Sequence, residues 1–368
     1  MKPQVIGVAA KAGNVIEAIL AKLLPGRDRP ANKKLQVISH RSVGDRSRLS
    51  VRGRVVFAAP SRSAENGKPR SATAQLISVY RAFDIVEVPF ATVKVLLGEA
   101  SAVGQTDEAG FFAIDLAAGN GEHWSDGWHH PRIWVAEHAV ASRPNVDGEL
   151  GSANAVQADV FVPPPTATLA IVSDLDDTTM DTQSTHSIEV VRKVMFSAPQ
   201  KRSPVDGVAE LYTKLQRGAD INGNNPICYI SSGAWNLYEH IVDYLDYHHL
   251  PKGAVYLNDW GSRRRTFHTV GHAHKSTHVS QLLYRFPSIP FLLIGDDIME
   301  DPELYAAIAT NNPKRISAIW IRVVLNDHAR LREIETLRMS LSAVGTELIV
   351  ADNSTAFANH ARERGWIS

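Results

Sequence analysis

The chain has 368 residues, 44% of them hydrophobic, and its 39 acidic side chains balance 39 basic ones. This length predicts about two domains with a sizeable core, and zero net charge gives no reason to expect a nucleic-acid partner. No apolar run approaches the roughly 20 residues of a membrane span, and the N-terminus lacks the features of a secretory signal. The single cysteine, Cys228, excludes an internal disulfide and fits a reducing compartment, so we expect a cytoplasmic protein.

Residues 1–48 are predicted to form an N-terminal segment with an amphipathic helix at 14–24, which ends at Pro25-Gly26. Between positions 22 and 54 the chain has ten Lys or Arg residues and only two Asp residues, so this segment carries a net charge of about +8. One interpretation is a peripheral contact with an anionic membrane, apolar face down. The favoured alternative is that the helix packs against its own protein, because helical apolar stripes usually belong to a core.

Residues 49–165 consist of short β-rich runs separated by turn-prone strings. The predicted strands lie within 49–57, 86–97, 110–116, 133–136 and 156–162. Such spacing is typical of a small β-sandwich domain.

Pro163-Pro164-Pro165 is a stiff linker, and it marks the start of a third region, residues 166–368. Strands and helices alternate there, which predicts a parallel sheet with flanking helices. The predicted strands are 168–173, 227–231, 254–257, 290–294 and 316–323, and the predicted helices are 205–216, 236–247, 276–285 and 302–309. The remainder of the chain is expected to be helical and peripheral.

The first strand of this region leads into two aspartates spaced two apart, Asp174 and Asp176. The first could attack a phosphorus atom while the second handles the proton of the leaving group. Carboxylates repel a phosphate unless a divalent cation lies between them, so the pair implies Mg²⁺. The alternative is an Asp-rich turn in which Thr178 caps a helix.

Later strand ends and helix starts supply the groups that this pair lacks. They are Ser231, Ser232 and Gly233 after the strand 227–231, Lys275 ahead of a predicted helix, and Asp296 and Asp301 after the strand 290–294. Hydroxyls and backbone N–H groups can bind a phosphate, a lysine can neutralise it, and a second acidic cluster can complete a cation site.

The ordered set resembles the haloacid dehalogenase superfamily of phosphotransferases. More narrowly, the strings at 173–178, 229–238, 274–275 and 294–305 are similar to the actin-patch-protein type of phosphatidate phosphatases. The resemblance covers about 166–325 and implies a Rossmann-like haloacid dehalogenase fold without a large cap. The string Val51-Arg52-Gly53-Arg54-Val55 extends it more loosely into the β-rich half.

The resemblance also implies an aspartyl-phosphate mechanism. In this mechanism Asp174 is the nucleophile and a Mg²⁺ ligand, and Asp176 is the general acid, then the general base, and a further metal contact. Ser231 binds the phosphoryl group together with Ser232 and Gly233, and Lys275 stabilises the phosphoryl group. Asp296 and Asp301 anchor Mg²⁺. Asp297 is a competing metal ligand that ranks below Asp296. Thr178 is expected to order the loop.

The implied substrate is phosphatidate, hydrolysed as a phosphate monoester. A soluble phosphorylated metabolite or a phosphoprotein is an alternative substrate, and a non-catalytic binding or scaffolding protein is the alternative class. His268, His272, His274 and His278 form a cluster that could hold zinc, although histidines near phosphate sites are common without it. The sequence specifies no oligomeric state.

Overall fold

The computed structural model describes residues 33–58, 82, 85–119, 122–137, 152–175, 178–179, 204–220, 224–258 and 267–368, with side chains in the last range from 274 onward. The predicted helix at 14–24 lies outside these residues. The strands are β1 (Lys34–His40), β2 (Ser42–Val43), β3 (Arg48–Ala58), β4 (Ile85–Glu87), β5 (Thr92–Leu97), β6 (Ala100–Gln105), β7 (Phe111–Ala117), β8 (Gly127–His129), β9 (Arg132–Glu137), β10 (Val156–Gln157), β11 (Val160–Val162), β12 (Ala170–Asp174), β13 (Ile227–Ala234), β14 (Ala254–Asn258), β15 (Phe291–Asp296), β16 (Ile316–Arg322) and β17 (Glu347–Ala351). The helices are α1 (Val208–Arg217), α2 (Tyr238–Tyr247), α3 (Phe267–Arg285), α4 (Asp301–Asn311), α5 (His328–Ala343) and α6 (Ser354–Glu363).

The C-terminal region is built on a six-stranded sheet in the order β14-β13-β12-β15-β16-β17, with every neighbouring pair parallel. Its central strand is buried on both faces. Ile171 belongs to the core that contains α1, α2 and α6, whereas Val172 belongs to the core that contains α3, α4 and α5. Successive side chains of a strand point to opposite faces, so helices cover both sides of the sheet, as a Rossmann-like fold requires.

The β-rich half forms three sheets within the described residues. One contains β1, β3, β4 and β7, the second has the order β10-β9-β5-β6, and the third has the order β2-β11-β8. All three contribute to one apolar core, which contains Val51 and Ile114 of the first sheet, Val93 and Ile133 of the second and Val160 of the third. The sandwich arrangement and its boundaries at 49 and 165 stay predictions.

Two expectations for the C-terminal region are wrong. The last part of the chain is not peripheral, because β17 joins the parallel sheet and α6 places Phe357 and Ala361 in its core. Helix α3 begins at Phe267, so Lys275 lies within this helix and not ahead of it. None of the described helices is long and apolar enough to cross a membrane.

The two halves contact each other directly. The guanidinium of Arg41, between β1 and β2, binds both carboxylate oxygens of Asp246 on α2, the closer at 2.8 Å. Arg285, at the end of α3, pairs with Asp45 at 3.0 Å and with Asp115 at 3.3 Å. The β-rich half is therefore fixed against the helices that border the parallel sheet.

Candidate active site

The site lies where three neighbouring parallel strands end. Asp174 is the last residue of β12, an Ala-Ile-Val-Ser-Asp run that is buried throughout. In the sheet Asp174 lies opposite Ile230 of β13, while Ser173 lies opposite Ile294 of β15. The carboxyl ends of these strands therefore bring the segments after Ile230 and Ile294 beside Asp174, where open parallel sheets bind ligands.

Three carboxylates meet at this edge. Asp174, Asp296 and Asp301 each offer an oxygen atom, and these atoms lie within 4.8 Å of one another. Their residues are 4%, 2% and 2% exposed. A glycine is required beside them, because a Cβ at position 295 would lie 2.5 Å from Oδ2 of Asp301. Gly295 thus lets the first residue of α4 reach back to the end of β15.

Lys275 joins two of these carboxylates. Its Nζ lies 2.8 Å from Oδ1 of Asp174 and 2.6 Å from Oδ1 of Asp301. Burial by itself lowers the pKa of this lysine, but the two carboxylates outweigh burial and hold its pKa well above the usual value. Lys275 is therefore protonated at neutral pH.

The donor set fits a hard divalent cation. Three carboxylates and one ammonium meet in a buried place, so acidic groups outnumber basic ones among these four residues, and a bound cation would offset the cost of burying them. In addition, Oδ2 of Asp301 is buried and accepts no hydrogen bond from any described residue. Oxygen ligands of this kind suit Mg²⁺. Among the residues searched, this is the one group of three metal-ligating side chains that lie so close, and it contains no histidine.

The segment after β13 carries the predicted phosphate-binding groups. Ser231 is 1% exposed, and its Oγ accepts a hydrogen bond of 2.8 Å from the backbone N–H of Gly233. Ser232 and Gly233 are half-buried. The register between β13 and β14 is irregular between Ile230 and Ala234, so the strand departs from regular pairing where the hydroxyls occur.

Asp176 and Asp177 lie outside the described residues. Thr178, two residues further on, is buried, and its Oγ1 donates a 3.3 Å hydrogen bond to Oδ2 of Asp296. The hydroxyl of this threonine thus links the loop after β12 to the loop after β15.

The carboxylate of Asp297 forms hydrogen bonds with the backbone beyond β16. Its Oδ1 accepts hydrogen bonds from the backbone N–H groups of Val324 at 2.8 Å and Leu325 at 3.1 Å, just past β16. These bonds fix the loop after β15 to the neighbouring strand end. Sequence reasoning missed Arg330, which supports the same loop through the carbonyl oxygens of Asp297 and Met299. No local motif marks this arginine, because it lies on a helix far along the chain.

The comparison with known families agrees with this geometry. Residues 169–323 match the family model described as the catalytic domain of phosphatidate phosphatase APP1. The predicted resemblance to the actin-patch-protein phosphatidate phosphatases is confirmed. The matched family is one of phosphoric monoester hydrolases, which agrees with the enzyme class expected from the sequence.

Two curated relatives match the chain over part of their length. Phosphatidate phosphatase APP1 of Saccharomyces cerevisiae is 27% identical over 159 residues, which are 43% of this chain and 26% of the relative. An uncharacterized protein of Schizosaccharomyces pombe is 23% identical over 171 residues, 46% of this chain and 27% of the relative. The chain thus spans about a quarter of the length of these relatives. A solved structure of a complex of Pnkp1, Rnl and Hen1 is 11% identical over 44% of this chain and 49% of that chain, with a TM-score of 0.26, which is too low to indicate a shared fold.

Proposed function

We propose that this chain is a Mg²⁺-dependent phosphatidate phosphatase that works through an aspartyl-phosphate intermediate. The observation that carries the proposal is the bridge from Lys275 to Asp174 and Asp301 beside Asp296. It leaves a buried, negatively charged site next to a serine and backbone amides. That combination suits a phosphate monoester once a divalent cation balances the charge.

Asp174 is the proposed nucleophile. Its carboxylate attacks phosphorus, an Asp174–phosphoryl bond forms, and the bond from phosphorus to the leaving-group oxygen breaks. Asp176 gives that oxygen a proton and then takes one from the water that hydrolyses the acyl phosphate. The protonated Lys275 keeps Asp174 ionised before attack and lies beside the transferring group.

Ser231 is proposed to hold the phosphoryl oxygens together with Ser232 and the amide of Gly233. Mg²⁺, when bound, would be held by Asp174, Asp296 and Asp301 with a contact from Asp176, and would neutralise the charge of the phosphoryl oxygens. Asp297 is left out of this proposed ligand set, because the oxygen atoms within 4.8 Å of one another belong to Asp174, Asp296 and Asp301, and Oδ1 of Asp297 binds the backbone beyond β16.

Phosphatidate is proposed as the substrate because the matched family model and the yeast relative carry this activity in their names. The stretch between Thr178 and Ser231 is too short for a large capping domain, which suits a bulky or surface-held substrate such as a phospholipid. The proposal includes a haloacid dehalogenase type of fold preceded by a β-sandwich, in a cytoplasmic protein; peripheral contact with an anionic membrane stays an alternative to packing of the N-terminal helix against its own protein.

The test is phosphate release from phosphatidate in mixed micelles beside a panel of soluble phosphate esters, each with Mg²⁺ and with EDTA. Asp174→Asn is the matched inactive control. Mg²⁺-dependent release that is strongest from phosphatidate supports the proposal. Release from soluble esters alone would retain the mechanism and reject the lipid, and no release from any substrate would favour the binding protein.

A further inference from the structure

The β-rich half contacts the segment that directly follows the predicted phosphate-binding residues. A 3₁₀ turn, Trp235–Leu237, links the end of β13 to α2. Asn236 in this turn donates a 2.7 Å hydrogen bond to the carbonyl oxygen of Ala82. Tyr238, the first residue of α2, accepts a 2.6 Å hydrogen bond from the backbone N–H of Arg41, and its ring centroid lies 4.6 Å from that of His40.

Arg54 of β3 also contacts this segment. Its guanidinium carbon lies 3.8 Å from the ring centroid of Trp235 and 4.3 Å from that of Phe111. The two rings meet edge to face at 5.6 Å, and Glu87 pairs with the guanidinium at 3.3 Å. Arg54 is 1% exposed and Trp235 is 3% exposed. A cation held between two rings away from water is among the stronger contacts of this kind.

The sequence explains how an arginine reaches this place. Side chains alternate along β3, so Val51 and Val55 enter the core of the β-rich half while Arg52 and Arg54 share the opposite face. Between the arginines, a Cβ at Gly53 would lie 2.4 Å from the carbonyl oxygen of Ile38, so only glycine lets β1 approach this closely. The string Val51-Arg52-Gly53-Arg54-Val55 therefore presents two arginines to the catalytic half.

The contact between Arg54 and Trp235 can influence the predicted phosphate-binding residues, because Trp235 follows Gly233 by only two positions in the chain. Ser231, Ser232 and Gly233 form an irregular stretch of β13, where the register with β14 shifts and the N–H of Gly233 donates a hydrogen bond to Oγ of Ser231. We refer to this irregular stretch as the turn. Regular pairing resumes at Ala234 opposite Asn258, and Trp235 follows at once. The position of Trp235 thus fixes the downstream end of the turn.

We propose that Arg54 is a positioning residue for the phosphoryl-binding turn. By holding Trp235 against Phe111, it sets the placement of Ser231, Ser232 and Gly233, so the β-rich half is part of the working active site. This inference rests on the proposed phosphatase function, in which those three residues bind the phosphoryl group.

The test compares Arg54→Met, Arg54→Lys and Arg52→Met in the full chain. Arg52 is the matched control, because it lies on the same face of the same strand but its guanidinium carbon lies over the ring of Tyr256 on β14, 5.0 Å from the centroid, whereas the ring that Arg54 contacts is that of Trp235. We expect Arg54→Met to lower kcat/KM by at least about tenfold and to weaken inhibition by inorganic phosphate to a similar degree. Arg54→Lys should recover part of the loss, and Arg52→Met should stay within about twofold of the wild type.

Hydrogen exchange supplies a readout that does not depend on turnover. The amides of residues 231–236 should exchange faster in Arg54→Met, whereas those of β12 and β15 should not change. If the wild type released no phosphate, this exchange would still test the contact on its own. Wild-type exchange and kinetics in Arg54→Met, or an equal loss in Arg52→Met, would overturn the proposal. Should Arg54→Met fail to fold, Arg54→Lys takes its place, and wild-type behaviour of that variant would count against the inference.

Discussion

Lys275 Nζ lies 2.8 Å from Oδ1 of Asp174, so the proposed nucleophile is ion-paired before any substrate arrives. The same ammonium is shared with Asp301, whose second oxygen accepts no hydrogen bond from the described residues. The pair thus leaves the site with spare acceptors and excess negative charge. These two features govern how the site should respond to mutation and to metal.

Replacing Asp174 by Asn should abolish turnover and leave the fold intact. The amide has a similar size and can still accept a hydrogen bond from Lys275, but it cannot form the acyl phosphate. We expect a loss of at least about 10³-fold in phosphate release, with a circular dichroism spectrum like that of the wild type. A fully active Asp174→Asn protein would refute the assignment of the nucleophile.

Replacing Lys275 by Met should make stability depend on Mg²⁺. Without the ammonium, Asp174 and Asp301 lose the buried cation that lies 2.8 Å and 2.6 Å from them, which costs about 3–5 kcal/mol. A bound divalent cation would then stabilise the native state by mass action. The measurement is chemical denaturation with Mg²⁺ and with EDTA.

The control for that experiment is Lys214→Met. Lys214 pairs with Glu210 at 2.6 Å on the exposed side of α1, where an ion pair contributes little. We expect no gain in Mg²⁺ dependence from this variant. A Lys275→Met protein that responds to Mg²⁺ no more than the wild type would contradict the charge argument.

Which residues meet at the site could be predicted from the sequence, because each of the strands that carry them is a recognisable apolar run. An apolar run that ends in Asp174, Ser231 or Asp296 must, in a parallel sheet, deliver those residues to one edge. Strand β17 was missed, because Glu347–Ala351 is short and stands between two helical stretches. Its place in the sheet depends on pairing with β16, which no local pattern reveals.

The hydrogen bonds of Asp297 cannot be predicted from local sequence patterns either. In the string Gly295-Asp296-Asp297 the two carboxylates are equivalent by type and spacing. What separates them is that the backbone of Val324 and Leu325 lies beside one of them, a contact between segments joined only through α4 and β16. The contact of Arg54 with Trp235 joins residues still farther apart in sequence.

Asp296 and Asp297 should therefore differ sharply when each is changed to Asn. Asp296→Asn removes a charged oxygen from the cluster and should weaken Mg²⁺ binding by at least about tenfold. Asp297→Asn keeps an oxygen that can accept from Val324 and Leu325, so its Mg²⁺ affinity should stay within about twofold of the wild type. Titration of the melting temperature with Mg²⁺ measures both.

A third variant isolates the structural role of Asp297. Asp297→Ala removes the acceptor of two backbone N–H groups, that of half-buried Val324 and that of exposed Leu325, which should cost about 1–2 kcal/mol in the free energy of unfolding. Equal Mg²⁺ defects in Asp296→Asn and Asp297→Asn would show that Asp297 is a ligand after all.

His40 should make the protein less stable in mild acid. Burial, followed by the positive charges of Arg52 and Arg54, lowers the pKa of its imidazole to about 3. Its Nε2 is buried with no hydrogen-bond partner among the described residues. The unfolded chain takes up a proton near pH 6.5 while the folded protein does not, so the free energy of unfolding decreases as the pH falls from 6.5 toward 3.

The His40→Phe variant should remove this dependence. A phenyl ring can keep the contact with Tyr238, whose centroid lies 4.6 Å away, and it has no proton to gain. Between pH 6.5 and 5 the wild type should lose about 2 kcal/mol more than the variant, measured by urea denaturation at several pH values. His123→Phe, at an exposed position in the same half, is the matched control. Parallel pH profiles for wild type and His40→Phe would mean that this imidazole is charged in the folded protein, beside Arg52 and Arg54, and that the electrostatic account of this contact is wrong.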